Sequence, residues 1–180
     1  MSPKEHSDVD RPLTRFYLGQ AVHSTGRTLD EILAMDDSDL DRAHNMIQWL
    51  FPTDRPSVYW INAPFLSRGE VELFKKNLII RKNYISAFYR YIGLFGIRNV
   101  GDKMEICPDL HRDRQWLYPN SHSFERITTI LESLKLLGFT KEASLLLKAL
   151  KDINKEHGEK LIDKQTLSIW AQIGIKEIEV

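Results

Sequence analysis

Six histidines, at positions 6, 23, 44, 111, 122 and 157, and one cysteine, Cys107, carry the widest chemical range in this 180-residue chain. They are scattered. No HExxH, no CxxC and no His/Cys cluster at zinc spacing occurs, so the pattern offers no metal site. No GxxxxGK[ST] or GxGxxG opens a helix either, which removes the common phosphate cradles, and no cofactor is expected. Cys107 lies between Ile106 and Pro108. A reactive thiolate there needs a cation or helix N-terminus beside it, with His111 or Arg112 the nearest sources; an unreactive loop cysteine is the simpler reading. A hydrolase-like centre would use His44 or His122 as general base, oriented by Asp109 or Asp113 across a concave pocket.

The densest mixture of charge and aromatic is "DLHRDRQW" at 109–116. His111, Arg112 and Trp116 could there meet a carboxylate or phosphate, making a small anionic ligand one candidate partner. Asp109 and Asp113 can equally neutralise those cations internally. A second aromatic group, Trp49, Phe51, Tyr59 and Trp60, reads as anchors for a partner peptide or as cover for a core edge, the latter being favoured.

Lys+Arg and Asp+Glu number 25 each, so no basic field gathers nucleic acid, and binding of that kind would be weak. A lone cysteine fits a reducing compartment. No apolar run approaches the roughly 20 residues of a membrane span. The polar start "MSPKEHSDVDRP" has no signal-peptide core, and a cytoplasmic location is expected.

The elements that must position these residues are helical. Residues 1–15 lack an apolar period and read as a flexible, dispensable arm before a domain at 16–180. Thr28/Glu31 and Ser67/Glu70 are capping-box pairs. A helix from about Ser38 or Asp39 carries Leu40, Ala43, Ile47 and Leu50 at spacings of three and four, until Pro52 stops it. The tract from Ser67 to about Phe95 is apolar on several faces, breaks near Asn77, and reads as central, with Tyr84, Phe88, Ile92 and Phe95 buried. Between 98 and 121 periodicity vanishes, apart from a short strand or hairpin in "VGDKMEICP". "SFERITTILESLKLLG", "TKEASLLLKALKDINKEHG" and a helix after Asp163 complete the chain. The expected fold is all-α, a single-domain bundle of about six to eight helices with one long irregular loop.

"HNMIQWLFP", "NAPFLSRGEVELF", "YIGLFGIR" and "SHSFERITTILESLKLLG", in that order, resemble the opioid growth factor receptor domain from about residue 16 to Leu150. The resemblance implies an all-helical module that in animal proteins is followed by further sequence. It also implies association with the opioid pentapeptide Met-enkephalin, growth regulation and a nuclear or nuclear-envelope location. The chain here reads as a stand-alone relative of the kind found in microbes. His44, Gln48, Trp49, Leu50, Phe51, Pro52, Ala63, Pro64, Gly96, His122, Arg126, Ile127, Thr128, Ile130 and Leu131 match the family pattern. Ser123, Glu125 and Thr129 depart from it, standing where the family commonly has asparagine, leucine and arginine.

The reading that follows is a non-enzymatic binding module, receptive to a peptide or protein partner, with the hydrolase-like and nucleic-acid readings as alternatives. His44, Gln48 and Trp49 are expected to meet His122 and Arg126 in one polar seam. Asp41 or Glu70 is the expected partner of Arg126. Trp60, His111, Arg112 and Trp116 complete the candidate ligand-binding set.

Overall fold

The computed structural model describes residues 7–58, 60–107, 116 and 121–175. Where the sequence suggests one bundle, the chain divides into two compact units, Met1–Phe88 and Tyr89–Val180.

The first unit begins with a 3-10 turn, Asp8–Asp10, and helix α1, Pro12–Tyr17. Proline at the first helical position is pre-organised and loses no hydrogen bond there. The expected loose arm is corrected over 7–15. Leu13 and Thr14 are buried, with Phe16 and Tyr17 following them into the core. Two apolar positions at helical spacing, Leu13 and Phe16, are enough to dock so short a helix once a partner face exists; no period long enough to be read in sequence is needed.

Helix α2, Leu29–Leu33, starts at the Thr28/Glu31 capping box, which is formed in full. Asp36 caps α3, Asp37–Arg42, by accepting from the Asp39 N–H at 2.7 Å. The single helix expected through Leu50 is broken at Ala43 (φ −80°, ψ 64°), and a 3-10 turn, His44–Met46, leads into α4, Ile47–Leu50. A continuous helix would set Met46 about 120° around the axis from Leu40. The break lets Leu40, Met46, Ile47 and Leu50 all be buried.

Helix α5, Arg68–Lys76, starts at the second capping box, Ser67/Glu70. Asn77 ends it in extended geometry. The Asn77 Oδ1 then accepts from the Ile79 and Ile80 N–H groups at 3.0 and 3.1 Å, so the residue that stops α5 also caps α6, Leu78–Ile92. Tyr17 is the hub of this unit. Its ring meets Phe16, Phe74 and Tyr84, its hydroxyl donates to the Leu50 carbonyl, and its own carbonyl accepts from Asn83 at 2.8 Å. Burial holds the Tyr17 hydroxyl well above its ordinary pKa, with Tyr84 adding to the shift.

In the second unit Tyr91 and Ile92 are buried at the end of α6. A 3-10 turn, Gly93–Phe95, follows, and Gly96 takes the left-handed conformation (φ 71°) that reverses the chain into β1, Ile97–Val100. This strand pairs antiparallel with β2, Lys103–Ile106, across a two-residue turn at Gly101 and Asp102. Among the described residues the all-α expectation is thus corrected to a mostly helical fold with one hairpin. The hairpin falls in "VGDKMEICP", where the sequence suggests a short strand or hairpin.

Helices α7, Ser123–Leu136, α8, Thr140–Glu156, and α9, Lys164–Ile175, pack on one another. The buried Trp170 lies edge-on to Phe124, and its indole N–H donates to the Thr128 hydroxyl at 2.8 Å. Asn154, also buried, accepts from Leu161 and Ile162 N–H groups and so holds the α8–α9 connection against α8.

Two outcomes follow from these contacts. Phe88 is fully buried; Phe88→Ala is expected to cost about 3–5 kcal/mol, read as a lowered urea midpoint with an unchanged slope. Removing residues 1–15 deletes Leu13 and Thr14 together with Arg11, a partner of the buried Glu70. That truncation is expected to lower the melting temperature by roughly ten degrees or more, since stranding a buried charge alone costs about 3–5 kcal/mol.

Candidate functional site

The sequence-derived candidates fall in different places. His44, Gln48, Trp49 and Trp60 belong to the first unit, and Trp116, His122 and Arg126 to the second. His111 and Arg112, with Asp109, Asp113 and Tyr59, lie outside the described residues. Trp116 is buried, its ring packs on Phe95, and its indole N–H donates to the Phe95 carbonyl at 3.0 Å. Its ring and its N–H are both engaged within the second unit. His122 is exposed at the start of α7, and Arg126 is half-buried one turn later. Glu70, one of the carboxylates expected to hold Arg126, is taken by Arg11, Thr14 and the Ser67 N–H.

Within the first unit the "IQWLFP" stretch is largely structural. Ile47, Leu50 and Phe51 are buried. Trp49 stands edge-on to both Phe16 and His23, with ring centroids 5.2 and 5.1 Å away. Gln48 reaches Ser57 at 3.5 Å, while its buried Oε1 has no protein partner.

His23 was not singled out from the sequence, because a lone histidine in a turn has no pattern. It is 1% exposed. Its Nδ1 accepts from the Thr25 N–H at 3.1 Å, which leaves the ring proton on Nε2. Burial lowers the His23 pKa, opposed by a hydrogen bond with the Asn45 backbone. A second ring proton would also turn Nδ1 from acceptor into donor against the Thr25 N–H.

A concavity lies in the second unit, between β2 and α8. It encloses about 340 Å³ and is lined by all four residues of β2. Opposite them stand Leu145, Lys148, Ala149, Asp152, Ile153 and Glu156, which recur at spacings of three and four and so form one face of α8. Leu145, Ala149 and Ile153 make an apolar floor. Lys148, Asp152 and Glu156 are exposed and make a charged rim, in which Lys148 pairs with Asp152 at 2.8 Å. Lys103 and Glu105 pair across the strand side; each shifts the other's pKa, raising the lysine and lowering the glutamate.

The backbone of β2 gives this cleft directionality. Cys107 N–H donates to the Gly96 carbonyl at 2.9 Å, which sets the phase of the ladder. Arg98/Glu105 and Val100/Lys103 are therefore the pairs that exchange hydrogen bonds, and Met104 and Ile106 direct their N–H and C=O groups away from β1. The sequence signal for these residues, the alternation of "KMEI" against an amphipathic "LLLKALKDI", identifies a strand and a helix but not that they face each other.

The chain is similar to known proteins over most of its length. The chain matches the family described as "Opioid growth factor receptor (OGFr) conserved region" over residues 7–171. It belongs to that family. It is 37% identical over 122 residues to the opioid growth factor receptor of Mus musculus, covering 63% of this chain and 19% of that one. The opioid growth factor receptor of Homo sapiens is 34% identical over 137 residues, covering 72% and 20%. The opioid growth factor receptor-like protein 1 of Xenopus tropicalis is 33% identical over 132 residues, covering 69% and 25%. The chain thus spans about a fifth to a quarter of the length of these relatives. No solved structure matches it. The family match begins at residue 7, the N-cap of the first 3-10 turn. Among the described residues no helix is long and apolar enough to cross a membrane, and no group of three or more His, Cys, Asp or Glu could hold a metal ion.

The lowered His23 pKa has a defined sign. Below the ordinary imidazole value of about 6.5 the unfolded chain takes up a proton that the folded chain resists, so stability falls as pH falls. Between about pH 7 and 5 the melting temperature is expected to drop, and His23→Gln is expected to flatten that part of the curve.

Proposed function

We propose that the chain is a non-enzymatic binding module of the opioid growth factor receptor family, and that it takes up an extended peptide in the cleft between β2 and α8. The observation that carries this reading is the outward-facing backbone of Met104 and Ile106 along a 340 Å³ cleft. An added strand would satisfy those groups by β-augmentation, with specificity coming from its alternate side chains. One set would rest on Leu145, Ala149 and Ile153. The other would meet Lys103, Glu105, Lys148 and Asp152 at the rim, where both signs of charge suit a short peptide with charged ends.

The relatives are named receptors of an opioid growth factor. The opioid pentapeptide Met-enkephalin is therefore the natural first probe, although Ser123, Glu125 and Thr129 depart from the family pattern. Titrating it, beside a scrambled pentapeptide, into isotopically labelled protein is expected to shift the amides of 103–106 and 145–156. Leu145→Arg, which would fill the cleft from a half-buried position, is expected to weaken binding at least tenfold. Shifts confined to the surroundings of Gln48 and Trp49 would reject the cleft in favour of the first unit, and no saturable shift with any peptide tested would reject peptide binding.

A further inference from the structure

The junction of α5 and α6 reads "KKNLIIRK" over residues 75–82. Leu78 is 81% exposed and Ile79 58%, whereas Ile80 is fully buried. A soluble helix start ordinarily presents polar residues at such positions, and two adjacent aliphatic side chains left in water need a reason. They are also held in place. Ile79 and Ile80 donate their N–H groups to the Asn77 side chain, and Ile80 is anchored in the core, so the first turn of α6 presents Leu78 and Ile79 as a fixed tip.

Cations frame that tip. Lys75 and Lys76 close α5, and Arg81 and Lys82 follow in α6. The nearest acidic residue in sequence, Glu72, is bridged to both lysines at 3.4 and 3.5 Å. Arg81 also donates to the Lys75 carbonyl at 3.3 Å, tying the two halves of the frame together. A frame of four cations and one carboxylate, net positive, around an apolar projection is the pattern of an interfacial anchor. The aliphatic groups enter the boundary between headgroups and acyl chains while the cations remain among anionic headgroups.

We propose that this corner docks the protein reversibly on membrane surfaces rich in anionic phospholipid. A nucleic acid would satisfy the cations but leave Leu78 and Ile79 in water. A protein partner would need an acidic rim around a concave apolar socket, whereas a fluid interface accepts a projecting tip without a matching shape. Two aliphatic side chains and four cations make a weak anchor, sensitive to salt.

The test is co-sedimentation of the full chain with phosphatidylcholine vesicles containing about one-third phosphatidylserine, against vesicles of phosphatidylcholine alone. Binding is expected only to the anionic vesicles and is expected to be lost as salt rises from about 0.05 to 0.5 M. The double variant Leu78→Ser, Ile79→Ser is expected to weaken partitioning at least tenfold, and so is Lys75→Gln with Lys76→Gln and Lys82→Gln. Both sets lie at exposed positions, so the fold should survive. A polarity-sensitive fluorophore on Leu78→Cys, in a Cys107→Ser background, is expected to brighten on anionic vesicles. Absence of vesicle binding, or binding that the serine variant leaves intact, overturns the proposal. Retention on polyglutamate without retention on vesicles overturns it too, and assigns the corner to an acidic protein partner.

Discussion

A buried carboxylate at the start of α5 holds the first unit together. Glu70 is 1% exposed, and its two oxygens take the Thr14 hydroxyl, the Arg11 guanidinium and the Ser67 N–H. Ser67 in turn donates to Asp8 at 2.7 Å. Gly69 leaves the room for Asp8: a Cβ there would lie 1.8 Å from the Asp8 Oδ2. A charge taken out of water is tolerable only when its lone pairs are occupied, so each partner is required once the others are in place. The result is that an N-terminal segment with few apolar residues is fastened to a helix more than fifty residues away. Docked there, α1 supplies Phe16 to Trp49 and Tyr17 to Phe74, Tyr84 and the Leu50 carbonyl.

That arrangement explains the aromatic stretch that carries the family resemblance. Phe51 and Leu50 are core, Trp49 is shared between Phe16 and His23, and α4 is too short to persist without them. Its rings serve packing first. The polar exceptions are Gln48, with one oxygen lacking a protein partner, and His23, held neutral by burial and by the Thr25 N–H. A neutral imidazole packed edge-on to an indole makes this part of the fold sensitive to acid.

The second unit is organised around helix pairs, and the cleft lies where β2 meets α8. β1 satisfies one edge of β2, and among the described residues no strand pairs with the other. Natural sheets usually cover or charge such an edge. Here it is flanked by Lys103, Glu105, Lys148 and Asp152, paired on their own sides, which keeps the edge soluble while leaving the apolar floor reachable.

Much of the local structure was legible in the residues alone. Both capping boxes, the break at Asn77, the hairpin in "VGDKMEICP" and the buried face of α6 rest on interactions within a few positions, where spacing is itself the physical cause. The family was readable for a related reason, since order and identity of short segments survive without knowledge of contacts. Contacts between distant segments were not readable. Nothing in "DRPLTRFY" announces that Arg11 and Thr14 will find Glu70, so the segment looked like a free arm. Nor does "DLHRDRQW" announce that the Phe95 carbonyl takes the Trp116 N–H. Sequence periodicity says which side of an element is apolar; only the tertiary fold decides what that side, and each buried polar group, will meet, because desolvation is settled by the partner and not by the residue.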